Sequence, residues 1–190
     1  MTTSTGRRTV PPLRLEPAYA DRNATWRTMI EHAPYPLMAA AKGYEMMNGA
    51  PLDPWFRKSW PTPGDHLDPA LNAMLHDQHF IDAAGRLFGA EVVRPQSLVV
   101  NVMGPMDAGY RHVDLPTYRG INMAKTPLWF PLMMGASGLF ERWAVRVAGV
   151  LTWFYDGNGG GYEYWPHGLG NPSECESGPF GNFASSATTT

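Results

Sequence analysis

The chain has a single cysteine, Cys175, among its 190 residues. An intramolecular disulfide framework is therefore excluded, and so sparse a use of cysteine fits a reducing compartment. Long apolar runs are missing too. The strongest one, residues 128–134, is interrupted by Pro131 and followed by Gly135 and Gly138. That falls well short of the roughly 20 residues needed to span a bilayer. Residues 1–12 are rich in Thr, Arg and Pro and lack the apolar centre of a secretory signal. Neither sign of charge dominates: 15 basic residues face 17 acidic ones, a formal net charge of -2. Nothing in this net charge calls for a nucleic-acid or anionic-membrane partner, and none is expected. No internal repeat and no clean linker interrupts the chain. The expectation is one cytoplasmic domain over residues 16–190 behind a disordered leader at 1–15.

What is present belongs to an ordinary globular chain, 44% hydrophobic and 17% charged, with an aromatic share of 12%. That composition supports one hydrophobic core. Asn23 can cap a helix running to about His32, with Trp26, Met29 and Ile30 along one face. Pro34-Tyr35-Pro36 ends it, and residues 48–64, dense in Pro, Gly and Trp, read as an irregular loop. Asp68-Pro69 is a strong helix start. Leu71, Met74, Leu75, Ile81, Ala84, Leu87 and Phe88 keep helical spacing from there until Gly89. Residues 92–103 turn to strand formers. Residues 128–142 predict an apolar helix and 143–155 a strand. A turn at 156–161 and a returning strand at 162–165 would complete a hairpin. Helices precede strands, so the fold class is α+β to mainly β, with helices over 16–91 and an antiparallel sheet or barrel after them.

The sharpest chemical feature is His112-Val113-Asp114. On an extended strand, residues i and i+2 point to one face, so an imidazole nitrogen and a carboxylate oxygen can converge on one metal ion. With a distant His they would form a 2-His-1-carboxylate triad, which leaves coordination positions open. The pair is expected to face a concave interior beside strands at 98–103 and 147–155.

Its surroundings add to this. Residues 101–105 (NVMGP) and 110–120 (YRHVDLPTYRG) resemble the iron-binding strand region of phytanoyl-CoA-dioxygenase-like proteins, a family of the iron(II)/2-oxoglutarate oxygenase superfamily. The likeness continues through Ser137-Gly138-Leu139-Phe140-Glu141-Arg142-Trp143, through 153–157 and through 161–166. The resemblance implies a double-stranded β-helix, a cupin-like jelly roll with flanking helices, here partial over 92–183. It implies iron(II) held by His112 and Asp114, with 2-oxoglutarate as co-substrate and dioxygen and a small organic molecule as further substrates. It also implies a third ligand, a His on a later strand, followed by an Arg that pairs with 2-oxoglutarate.

The chain departs from that pattern at its end. After Asp114 the one remaining His is His167, in the turn-like setting Trp165-Pro166-His167-Gly168, and no Arg follows Arg146. His167 is thus a weak candidate for third ligand. Residues 184–190 (ASSATTT) are low in complexity. GC-rich codons chosen for this tail, read in a shifted frame, resemble the strand and turn before the distal His of related proteins. The tail is therefore expected to be aberrant, the product of a truncated or frameshifted gene. Two rival functions follow: a degenerate metal-binding jelly roll without turnover, or a metal-dependent hydrolase or isomerase using the same pair.

Other residues have plainer readings. His76 and His79 predict a solvated helix face, and the glycines of 157–161 a turn rather than a phosphate cradle. Trp129, Phe130, Met133, Met134, Leu139 and Phe140 suit core packing, an apolar channel or a subunit contact. Arg111 and Arg119 flank the ligand pair and could meet an anionic substrate.

Overall fold

The computed structural model describes residues 12–37, 55–61, 67–106, 114–122, 125–154, 157–167, 170–177 and 183–189; for 61 and 183–189 it describes the backbone alone. Within them the chain is a mixed α/β protein built on small antiparallel sheets. No helix among the described residues is long and apolar enough to cross a membrane.

The first strand, β1 (Leu13–Leu15), lies where the disordered leader was expected to end. Helix α1 (Arg22–Glu31) follows, capped by Asp21 instead of Asn23: the Asp21 carboxylate accepts from the Ala24 amide at 2.9 Å. Of its expected apolar stripe, Met29 packs against the core while the other two do not. Trp26 and Ile30 are exposed, whereas Thr25 and Thr28 are buried. Each threonine hydroxyl donates to a carbonyl four residues back, Thr25 to Asp21 and Thr28 to Ala24. The hydroxyls thus enter the interior already satisfied.

Residues 48–64, expected to be irregular, contain β2 (Trp55–Pro61), which pairs along its length with β3 (Ser97–Met103). The single helix expected over 68–89 is two. In α2 (Pro69–Leu75) the Asp68 carboxylate accepts from the amides of Ala70 and Leu71. In α3 (Gln78–Phe88) a new cap, Asp77, accepts from the His79 amide at 2.9 Å. An Asp able to satisfy orphan amides offers the backbone a restart, and the helical spacing of the apolar residues survives the break. Gly89, at φ 59°, closes α3 in the left-handed conformation expected of it.

Beyond β3 come β4 (Thr117–Tyr118), α4 (Trp129–Ser137) and a 3-10 turn at Glu141–Trp143. Next are β5 (Ala144–Val145), which pairs with β4, and β6 (Val147–Trp153). The helix expected over 128–142 therefore stops early, where Gly138 turns left-handed at φ 67°.

The hairpin expected between β6 and the strand after the glycines does not form. That strand, β7 (Tyr162–Tyr164), pairs with β8 (Glu174–Glu176). β6 pairs residue for residue with β9 (Phe183–Thr189), from Val147↔Thr189 to Trp153↔Phe183. A seven-residue partner offers β6 more ladder than the three residues of β7 can. β9 also pairs with β1, so residues 183–189 form the middle strand of a β1-β9-β6 sheet.

The core gathers Leu15, Ala18, Tyr19, Leu71, Met74 and Ala83, with Phe80, Val150 and Phe154 packed against them. Tyr19 meets Phe80 edge-on at 5.0 Å and stacks on Phe154 at 6.0 Å. The segment after β1 thus sits between the α2–α3 helices and β6. Lys58 donates to the His32 carbonyl at 3.1 Å, and the His32 ring pairs with the Asp68 carboxylate, joining the end of α1 to the start of α2.

Candidate functional site

Asp114 is the described member of the His112–Asp114 pair; His112 and its neighbour Arg111 lie outside the described residues. Asp114 occupies an irregular segment leading into β4, not an assigned strand, and its side chain is exposed. Two residues on, Pro116 packs against α4: a side chain at Gly135 would come within 3.2 Å of the Pro116 ring and 3.4 Å of the Tyr118 hydroxyl. Buried Tyr118 anchors β4, and the Arg119 amide donates to the Trp143 carbonyl at 2.9 Å. The carboxylate therefore stands at the surface beside a fixed strand start.

The charge of Asp114 reaches one aromatic group. Tyr162 has its phenol pushed above the ordinary tyrosine range, first by burial and then by the negative charge of Asp114. Tyr162 stacks on Tyr164 at 5.6 Å, and its ring lies 5.9 Å from that of Trp153. The glycine turn thus brings the end of β6 and the start of β7 together through side chains, without a ladder between them. The Tyr164 hydroxyl donates to Glu174 at 2.8 Å, and its pKa is pushed up to about 12 by desolvation and by that carboxylate. Arg14 on β1 reaches Glu176 at 3.6 Å and ties this arm to the main sheet.

The arrangement offers an exposed carboxylate whose charge reaches a phenol that stays protonated at neutral pH. A carboxylate is a hard oxygen donor for a divalent cation, and a protonated phenol can donate to an anionic oxygen. The sequence alone gives Tyr162 no role, although it lies within residues 161–166, which carry part of the resemblance. Its signal exists only once β7 folds toward residue 114.

His167 is exposed in the turn after β7, where its carbonyl accepts from the Asn171 side chain. Among the described residues no three His, Cys, Asp or Glu side chains converge as a metal-holding group. His76 and His79 are exposed, as expected; His76 ends α2 and His79 stacks on Phe80. The glycine run is a turn, with Gly159 and Gly160 at positive φ. A shallow groove of about 520 Å³ runs along α3 past Asp82, Arg86 and Glu91; neither Asp114, Tyr162 nor His167 lines it. No protein-family model, no curated protein and no solved structure matches this chain.

Proposed function

We propose that this chain carries the metal-binding part of a non-haem iron(II), 2-oxoglutarate-dependent dioxygenase of the phytanoyl-CoA-dioxygenase-like type. His112 and Asp114 are the ligand pair, and the substrate is a small organic molecule. The observation that carries the reading is the His-x-Asp pair within the stretch 101–120. Antiparallel pairing in every described sheet supports the jelly-roll architecture that goes with it. The lone cysteine supports a cytoplasmic setting.

Iron held at this pair would supply dioxygen activation, coupling decarboxylation of 2-oxoglutarate to succinate and carbon dioxide with insertion of one oxygen atom into a substrate C–H bond. The described residues do not form a complete ligand set for it, so no catalytic step is assigned to them. Asp114 would contribute an oxygen donor. Tyr162, kept protonated by burial and by Asp114, can donate to an anionic oxygen nearby.

A second reading, a metal-binding protein without turnover, is favoured by one observation: His167, the candidate third ligand, is exposed on a turn and not on a strand.

Titration of the chain with Mn(II), followed by calorimetry, tests the pair. Binding should weaken at least about tenfold in His112→Ala and in Asp114→Ala. Iron- and 2-oxoglutarate-dependent succinate formation would then support the dioxygenase; its loss in His167→Ala would make His167 the third ligand. Metal binding without succinate would favour the second reading. Metal-dependent conversion without dioxygen would point to a hydrolase or isomerase. Binding indifferent to both substitutions would remove the metal pair altogether.

A further inference from the structure

Residues 157–161, between β6 and β7, read Gly157-Asn158-Gly159-Gly160-Gly161. All five are exposed, and none belongs to a helix or strand. Gly159 and Gly160 take φ of 93° and 76°, a region that glycine enters without steric cost. A side chain at Gly159 would meet nothing within 4 Å, so the space around its backbone is open. An Asn followed by Gly in such a turn is a chemically reactive pair. The side-chain carbonyl carbon of the Asn and the backbone nitrogen of the next residue can close a five-membered ring. Glycine leaves that approach uncrowded, and no helix or ladder holds this backbone against it.

We propose that Asn158 is a site of spontaneous deamidation, in which the Gly159 nitrogen closes a succinimide. The deprotonated nitrogen attacks the side-chain carbonyl carbon of Asn158 (Cγ). A Cγ–N bond forms, the Cγ–Nδ2 bond breaks, and ammonia leaves. Water then opens the ring at either carbonyl. Attack at Cγ restores the main chain and gives aspartate. Attack at the main-chain carbonyl leaves the chain running through Cγ and gives isoaspartate. Each event consumes one water, releases one ammonia and adds one negative charge. No oxidant or metal takes part, so this assignment is independent of the metal pair.

Four other asparagines are placed where this closure is opposed. Asn23 and Asn72 lie inside α1 and α2, whose helical backbone is fixed. Asn101 sits in β3 opposite Arg57, and its side-chain oxygen accepts from the Trp55 indole at 2.9 Å. Asn171 precedes Pro172, whose nitrogen has no proton to lose. Asn48-Gly49, the second Asn-Gly pair of the chain, lies outside the described residues. Conversion at Asn158 falls in the turn that sets the Tyr162 ring 5.9 Å from that of Trp153. It adds a carboxylate there and, as isoaspartate, one methylene of extra main chain.

The test is incubation of the full chain at mildly alkaline pH, followed by tandem mass spectrometry of its peptides. The amide-to-acid mass gain at Asn158 should build up several-fold faster than at Asn23, Asn72, Asn101 or Asn171. Aspartate and isoaspartate should both form, as ring opening at two carbonyls requires. In heavy-oxygen water one labelled oxygen should enter each product. The rate should climb as pH rises from neutral, because the attacking nitrogen must lose its proton. Asn158→Gln keeps an amide but needs a six-membered ring, so the gain at this position should slow several-fold. Far-UV circular dichroism checks the fold of that variant; if it misfolds, the rate order and the isoaspartate of the parent chain decide alone. Conversion at Asn158 no faster than in the helices and strands overturns the proposal. So does aspartate without isoaspartate, which would mean direct hydrolysis, and so does a folded Asn158→Gln that reacts at the parent's pace.

Discussion

Asp114 and Tyr162 are 48 positions apart in the sequence, yet the charge of one acts on the proton of the other. A negative charge near a phenol opposes formation of the phenolate, adding to the cost of desolvating it. Removing that charge must move the phenol's titration down. In Asp114→Asn the Tyr162 resonance should therefore titrate at lower pH than in the parent chain, with Tyr162→Phe identifying the signal. Carbon-13 NMR of labelled tyrosines gives the readout without any turnover assay. An unchanged titration would mean that Asp114 does not face β7. Thr25 and Thr28 teach a related lesson: a hydroxyl bonded to its own helix can be buried while Trp26 beside it stays exposed.

At the scale of elements, β9 carries the greatest structural weight for its sequence content. Its residues, Phe183–Thr189, offer little local preference beyond their Thr content, yet β9 takes ladders on both sides, with Ser186 opposite both Leu13 and Val150. A central strand cannot accept proline, which lacks the amide donor and is confined to edges and bulges. Ser186→Pro should therefore abolish or strongly weaken the cooperative unfolding transition seen in urea by tryptophan emission. An edge substitution such as Arg14→Ala should cost far less, because the ion pairs it removes with Glu16 and Glu176 are partly exposed. Equal effects of the two changes would count against a central β9. The α2–α3 break belongs to this scale as well. Asp77 restarts a helix because its carboxylate satisfies an amide that the preceding turn leaves open.

For the whole molecule, alkaline pH is the condition that finds the core. Tyr19 is buried between α3 and β6; desolvation, then the charge of Asp77, push its phenol far above the ordinary value, while a hydrogen bond with Thr152 pulls slightly the other way. Tyr162 and Tyr164 are raised as well. A raised folded pKa means that the unfolded chain releases its proton first. The stability these phenols contribute is therefore fully present below about pH 10 and lost as pH rises through the raised values. Urea midpoints measured from pH 8 upward should stay level and then fall beyond pH 10. In Tyr19→Phe the fall should be shallower, and identical slopes would show that Tyr19 is not in the core.

Near-neighbour chemistry was enough for what depends on a few adjacent residues. Asp68-Pro69 started a helix and Gly89 ended one, since both act within a single turn. Of the β-formers at 92–103 and 143–155, those at 97–103, 144–145 and 147–153 made strands, the glycines of 157–161 made a turn, and His76 and His79 stayed in solvent. Only tertiary structure decided which strand pairs with which. β6 took β9 instead of β7 because a ladder is stabilised by matched length and by burial of its faces, neither of which is encoded in the turn between neighbours. Trp55–Pro61 became a strand in a stretch dense in turn formers because β3 offered it a partner. Asp114 found Tyr162 for the same reason: an electrostatic contact depends on distance in space, which the order of residues along the chain does not carry.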